Sequence, residues 1–282
     1  MSRTTEIVAT GLDFGEGPRW HDGRLWVSDF FAHTIYSFGS EGDRRVELEL
    51  DDQPSGTGWL PSGELLVVAM NSRQVRRVGP DGTIYVHADL SSIAGGPCND
   101  MVVDARGNAY VGNFGFDMEH GGHPAKATLA LVKADGTVVA AAEDMGFPNG
   151  SVITPDGSTL IVGESMSARY TAFTINEDGS LTDRRVWGEF PGTGPDGCAL
   201  DADGAIWMAD AFGKGCHRVA EGGKVIETVV ASQPVFACAL GGEERTTLYL
   251  ITAPGFGEEL CKGKGLGNVE AVQVDVPGAG WP

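Results

Sequence analysis

Two carboxylates and two carboxamides, Glu16, Asn99, Asn149 and Asp196, carry the chemistry this sequence offers. They occur as Glu16-Gly17, Asn99-Asp100, Asn149-Gly150 and Asp196-Gly197. Singly, each is an ordinary turn residue. Together they form an all-oxygen donor set without His or Cys, which suits a hard divalent ion of the Ca²⁺ or Mg²⁺ type. Two carboxylates drawn close repel and take up protons unless a cation neutralises them. Such chemistry needs a fold that gathers residues far apart along the chain.

The turns describe that fold. Glycine supplies 42 of 282 residues, roughly twice the ~7% average. Strand–turn–strand units recur around Gly23, Gly63, Gly107, Gly157 and Gly204, with a degenerate sixth near Glu244. They stand about 40–50 residues apart, the period of a four-stranded propeller blade. Most repeats carry a second hairpin through Asp-Gly, as at Asp81-Gly82, Asp135-Gly136 and Asp178-Gly179. Asp-Gly between alternating apolar residues favours a tight turn with φ > 0 at both central residues. No apolar stripe holds a 3.6-residue period over three turns, which argues against a parallel α/β fold. The pattern predicts an all-β, six-bladed β-propeller of four-stranded antiparallel blades around a central channel, with residues 1–282 as one domain. The strand at residues 269–274 is expected to close the ring by pairing with residues 6–9.

In a propeller the first strand of each blade lines the channel. Aligning the repeats on their turns brings Glu16, Ser55, Asn99, Asn149, Asp196 and Phe236 to one position ahead of those strands. Four oxygen-bearing side chains, two of them anionic, thereby converge on a single point. The alternative is a ring of hydrogen-bonded turn residues around a water-filled channel.

The formal net charge of −19 opposes contact with phosphate backbones or anionic membranes and favours cations. Residues 1–10 have no apolar signal core, and no run is long enough for a membrane helix. Five cysteines, scattered and odd in number, suit a reducing compartment. The expectation is a cytoplasmic protein with a small-molecule substrate, no nucleic-acid or membrane partner, and an undetermined oligomeric state.

The same residues carry a family likeness. Glu16-Gly17-Pro18-Arg19-Trp20, Asn99-Asp100, Asn149-Gly150 and Pro195-Asp196-Gly197-Cys198 resemble the SMP-30/gluconolactonase/LRE-like family over roughly residues 11–254. The resemblance implies a six-bladed propeller with one divalent ion, many of whose relatives hydrolyse lactones. It implies Glu16, Asn149 and Asp196 as metal ligands, with Ca²⁺ first and Zn²⁺, Mn²⁺ or Mg²⁺ as alternatives. It also implies Asn99 as a contact to substrate or metal-bound water, and Asp196 as general base; Asp100 is a second candidate for that base. Sugar-lactone members tend to carry Arg just before the Asn-Asp pair and Gly-Lys just after it; here those places hold Cys98 and Met101-Val102. Losing a bidentate cation disfavours a hydroxyl-rich sugar. Apolar wall candidates Met70, Phe114, Phe116, Phe147, Phe212 and Phe236 point instead to a less polar lactone or ester. Competing readings are other carbonyl or C–C chemistry on the same scaffold, and a non-catalytic binding propeller pinned by calcium.

Smaller signals have plainer explanations. Residues 113–128 exceed what a hairpin needs and are read as a lid carrying Phe114, Phe116 and Met118 to the substrate. His120-Gly121-Gly122-His123 is read as a solvated glycine-rich loop rather than a metal pair. Cys98, beside the site, is placed against substrate as buried filler; no histidine is positioned to activate it as a nucleophile. Gly263-Lys264-Gly265 neither follows a buried parallel strand nor opens a helix, so it is a surface loop rather than a phosphate cradle.

Overall fold

Alternating apolar residues between glycine turns build six antiparallel blades. The computed structural model describes residues 3–40, 42–118 and 121–279. Blade one holds β2 (Gly15–His21), β3 (Arg24–Asp29), β4 (Thr34–Phe38) and β5 (Arg44–Glu49). Blade two holds β6 (Pro54–Trp59), β7 (Leu65–Ala69), β8 (Gln74–Val78) and β9 (Ile84–Asp89). Blade three holds β10 (Cys98–Val103), β11 (Ala109–Asn113), β12 (Ala127–Val132) and β13 (Val138–Met145). Blade four holds β14 (Pro148–Ile153), β15 (Thr159–Glu164), β16 (Arg169–Ile175) and β17 (Leu181–Glu189). Blade five holds β18 (Pro195–Leu200), β19 (Ile206–Asp210), β20 (Gly215–Ala220) and β21 (Lys224–Val230).

The sixth blade closes the ring. Its strands β22 (Val235–Gly241), β23 (Thr247–Thr252) and β24 (Gly267–Gln273) take β1 (Glu6–Leu12) as their outer partner. Glu6 pairs with Ala271 and Ala9 with Val269. The expected closure is present, and it runs on to Leu12 opposite Gly267. Glu270, fully buried, accepts hydrogen bonds from Thr5 Oγ1 (2.6 Å), Thr252 Oγ1 (3.1 Å) and the Ser232 amide (3.1 Å). A buried carboxylate with that many donors ties the closing strand to the blade it completes.

The turns divide into two kinds. At Asp22-Gly23 both residues have positive φ, 47° and 72°, as a two-residue hairpin turn requires. At residues 81–82, 135–136 and 178–179 only the glycine does. There the Asp carboxylate accepts the amide two residues on, at 3.0, 2.9 and 2.9 Å, so the aspartate serves as a turn cap and needs no left-handed backbone.

The core lies between blades, where each face buries its aliphatic residues against its neighbour, as Val102, Tyr110 and Leu131 do against Val162 and Phe173. All five cysteines are buried and unpaired. Among the described residues no helix is long and apolar enough to cross a membrane.

Candidate active site

Strands β2, β6, β10, β14, β18 and β22 all begin at one end of the channel, the mouth. In all six, the pairing with the next strand slips there: between Glu16 and Arg19, Pro54 and Thr57, Cys98 and Met101, Pro148 and Ser151, Pro195 and Cys198, and Val235 and Ala237. A bulge breaks the strict in–out alternation of a strand and re-aims its side chains. Glu16, Ser55, Asn99, Asn149, Asp196 and Phe236 stand at these slips. Of these, all but Ser55 line a single cavity of about 220 Å³. Ser55 is buried behind it and donates its hydroxyl to Asn99 Oδ1 at 3.4 Å. The small residues that follow serve strand packing: a Cβ at Gly150 would lie 2.4 Å from Asp196 O, and one at Gly197 2.5 Å from Ala237 Cβ.

Glu16, Asn99, Asn149 and Asp196 are each at most 6% exposed. Glu16 Oε2 accepts the Gly17 amide at 3.1 Å, and Asn149 Nδ2 donates to Ser165 Oγ at 3.2 Å. Two oxygens have no protein partner although they are buried, Asn149 Oδ1 and Asp196 Oδ1. Burial, then repulsion from Asp196 and Asp100, pushes the Glu16 carboxyl well above its usual range. Burial followed by the charge of Asp100 does the same to Asp196, against the pull of the Gly197 amide and Asn149. Such a pair favours a cation between its members.

Three further carboxylates hold the loops that enter the site. Asp29, at the end of β3, accepts the amides of Asp13 (2.9 Å) and Phe14 (3.0 Å). Glu164 at the end of β15 takes the Gly146 amide (2.6 Å), and Asp210 at the end of β19 takes that of Gly194 (2.9 Å). The anchored amides lie just ahead of Glu16, Asn149 and Asp196. Sequence reasoning missed these anchors, although they occupy one repeat position, the last residue of the second strand. Asp210→Ala should lower stability by about 1–3 kcal/mol in a denaturant titration, the cost of stranding buried amides.

Above the polar floor the cavity is apolar. Phe14 packs against Phe30 and Phe236 at 5.3 and 4.9 Å, and Phe114 stacks on Phe147 at 4.5 Å. The rim is apolar and open: Phe212 is 69%, Phe256 60%, Met166 50% and Met118 38% exposed. The segment between β11 and β12 brings Phe114 and Met118 to this wall. Of the two histidines in the glycine-rich loop at residues 120–123, His120 lies outside the described residues.

Three residues expected against substrate do not line the cavity. Cys98 is buried in the core beneath it, where burial pushes its thiol up to about 12. Phe116 is buried, and its backbone packs on Gly96. Asp100, one residue past Asn99, turns away from the mouth: its Oδ1 accepts Arg19 Nη2 at 2.6 Å and the Met101 amide at 2.8 Å. Arg19 also donates to Met101 O (2.6 Å), Pro18 O (2.9 Å) and Thr57 O (3.2 Å). This buried pair lies beneath the site, out of the cavity.

A six-bladed propeller with buried oxygens gathered at one mouth defines the class of scaffold by its geometry. The chain belongs to the SMP-30/Gluconolactonase/LRE-like family, whose profile matches residues 14–254. It is 28% identical over 266 residues to the pentonolactonase XacC of Haloferax volcanii, covering 90% of this chain and 86% of that one. It is also 28% identical over 292 residues to a 6-deoxy-6-sulfogluconolactonase of Pseudomonas putida, covering 98% and 96%. Among solved structures, the calcium-binding protein regucalcin of Agrobacterium tumefaciens shares the fold with a TM-score of 0.83 at 20% identity, covering 100% of this chain and 97% of that one.

Proposed function

We propose that this protein is a divalent-metal-dependent hydrolase that opens a lactone, or cleaves a related ester, less polar than a sugar lactone. The observation that carries the reading is the set of buried oxygens without partners, Asn149 Oδ1 and Asp196 Oδ1 beside Glu16, at the bottom of an apolar cavity. Among the described residues no three of His, Cys, Asp and Glu are placed to hold a metal ion together, so the third donor is the Asn149 amide. Two carboxylates and a carboxamide suit Ca²⁺ first, with Mg²⁺, Mn²⁺ or Zn²⁺ as alternatives. Lactonases among the relatives support the reaction class.

Bound there, the ion supplies Lewis-acid polarisation of the scissile carbonyl. The chain's own residues do the rest. Asp196 takes a proton from the attacking water; Asp100 is already committed to Arg19 and does not reach the cavity. The hydroxide adds to the carbonyl carbon, the ring C–O bond breaks, and the proton passes to the released ring oxygen, giving a hydroxy acid. Asn99 orients water or carbonyl from the adjacent inner strand. The aromatic wall excludes bulk water, which strengthens the electrostatics of the floor. No Lys or Arg is among the described residues lining the cavity, so a polyhydroxylated ring would lose hydrogen bonds to water without gaining charged donors. The five unpaired cysteines support a reducing, cytoplasmic setting.

Turnover of aliphatic, aromatic and sugar lactones, measured with and without EDTA and after Ca²⁺ readdition, tests the reading. The expected result is chelator-sensitive turnover, restored by metal, with higher kcat/KM for the apolar lactones. Faster turnover of the sugar lactones would overturn the substrate class. Chelator-insensitive activity would overturn the metal. A large metal-dependent rise in Tm with no lactone turned over would instead identify a calcium-pinned binding propeller.

A further inference from the structure

Beyond the mouth, the structure holds a second cavity, of about 500 Å³, at the opposite end of the channel. The inner strands of blades one to three run from the mouth to it, from Glu16 to His21, Ser55 to Trp59 and Asn99 to Val103. The two cavities share no lining residue, and the Arg19–Asp100 pair lies between them. Its walls are aromatic. His21 stacks on Trp59 with ring centroids 3.7 Å apart and planes 10° apart, and Trp26 meets Trp59 edge-on at 5.3 Å. Trp20 also lines the cavity and stacks on Tyr249 at 5.7 Å.

Arg245 is the group this arrangement leaves unexplained. It occupies the β22–β23 turn of blade six with φ of 55°. Five other blades place glycine in the left-handed conformation at the corresponding turn, Gly23, Gly63, Gly107, Gly157 and Gly204. Glycine adopts that backbone freely, whereas a residue with a Cβ is strained in it. The strained position puts a guanidinium on the cavity wall, with Nε buried and without a hydrogen-bond partner. Among the described residues no carboxylate pairs with Arg245, although the chain has 39 acidic and 20 basic residues. The other charged groups on the wall are satisfied: Arg19 by Asp100, and Asp104 by the amides of Arg106 (2.9 Å) and Asn108 (2.8 Å) and by Asn108 Nδ2 (2.9 Å). Thr57 also lines the cavity, and its buried hydroxyl has no partner.

We propose that this far cavity binds a planar aromatic carboxylate, with the ring against the Trp20 and Trp59 walls and the carboxylate on Arg245. A guanidinium offers a carboxylate paired donors, and indole faces offer the ring stacking area. Calorimetric titration of the full chain with 2-naphthoate tests this, in chelator so that no metal ion at the mouth recruits the probe's carboxylate. One saturable site is expected. Arg245→Gly should weaken binding about tenfold or more, the scale of one charge-assisted hydrogen bond, while Tm stays level or rises because glycine relieves the turn. Trp59→Leu should also weaken binding, and Phe212→Ala at the mouth should leave it unchanged. Equal affinity for the neutral 2-naphthalenemethanol, unchanged binding in Arg245→Gly, loss of binding in Phe212→Ala, or no saturable binding by the native chain would each overturn the proposal.

Discussion

Asp196→Ala is expected to reduce lactone turnover by roughly a thousandfold or more, the range over which positioned proton transfer acts. The same change removes one of the two anionic oxygen donors, so the metal-dependent rise in Tm should shrink with it. Stability should not suffer. Asp196 is buried, its Oδ1 meets no donor, and it repels Glu16. Deleting it relieves a like-charge contact, and in chelator the variant should melt no lower than the native chain. For the native chain, ligand linkage sets the scale of the metal effect: at a free ion concentration of a hundred times Kd, binding stabilises by about 2.7 kcal/mol. Calorimetry with and without Ca²⁺, paired with kcat on the best lactone, separates the two roles. Undiminished turnover in Asp196→Ala would remove it as base and ligand together. A chelator-treated variant that melts well below the native chain would mean that the carboxylate is structural.

The parts of this molecule legible in its sequence are those a single residue type enforces. Turn glycines mark the blades because few other residues adopt their backbone, and the sixth turn was obscured because Arg245 takes the glycine's conformation. Glu16, Asn99, Asn149 and Asp196 could be placed at one cavity because repeat position alone determines which end of the channel a residue faces. What repeat position does not give is the direction of the neighbours. Asp100 follows Asn99 on β10 and so faces away from it, and the slip between Cys98 and Met101 fixes which of the two meets the mouth. Cys98 adjoins Asn99 in sequence yet is buried in the core, and Phe116, in the segment expected to face substrate, is buried as well. The anchors Asp29, Glu164 and Asp210 contact backbone amides, and such a bond leaves no complementary residue type to read.

Arg19→Met is expected to cost about 3–5 kcal/mol in a denaturant titration, because it strands a buried charge. Asp100 is 4% exposed and Arg19 3%, so water cannot replace the lost guanidinium, and the Met101 amide is the remaining donor to the carboxylate. Met fills the stem volume of Arg, so the loss reports charge rather than a void. Arg19 donates to groups from β2, β6 and β10, and its removal should also loosen the junction of the first three blades. The companion change decides between these contributions. Arg19→Met with Asp100→Leu removes both charges, and replacing a buried ion pair by apolar residues of similar volume is often neutral. If the double variant regains most of the lost stability, the stranded carboxylate is the cause. If it stays as unstable as Arg19→Met, the backbone contacts of Arg19 hold the inner strands together. The charge of Asp100 also raises the carboxyls of Glu16 and Asp196, and on Glu16 it outweighs the lowering by Arg19. The double variant should therefore ease the electrostatic strain at the mouth and weaken the site's pull on a cation, read as a smaller Ca²⁺-dependent shift in Tm.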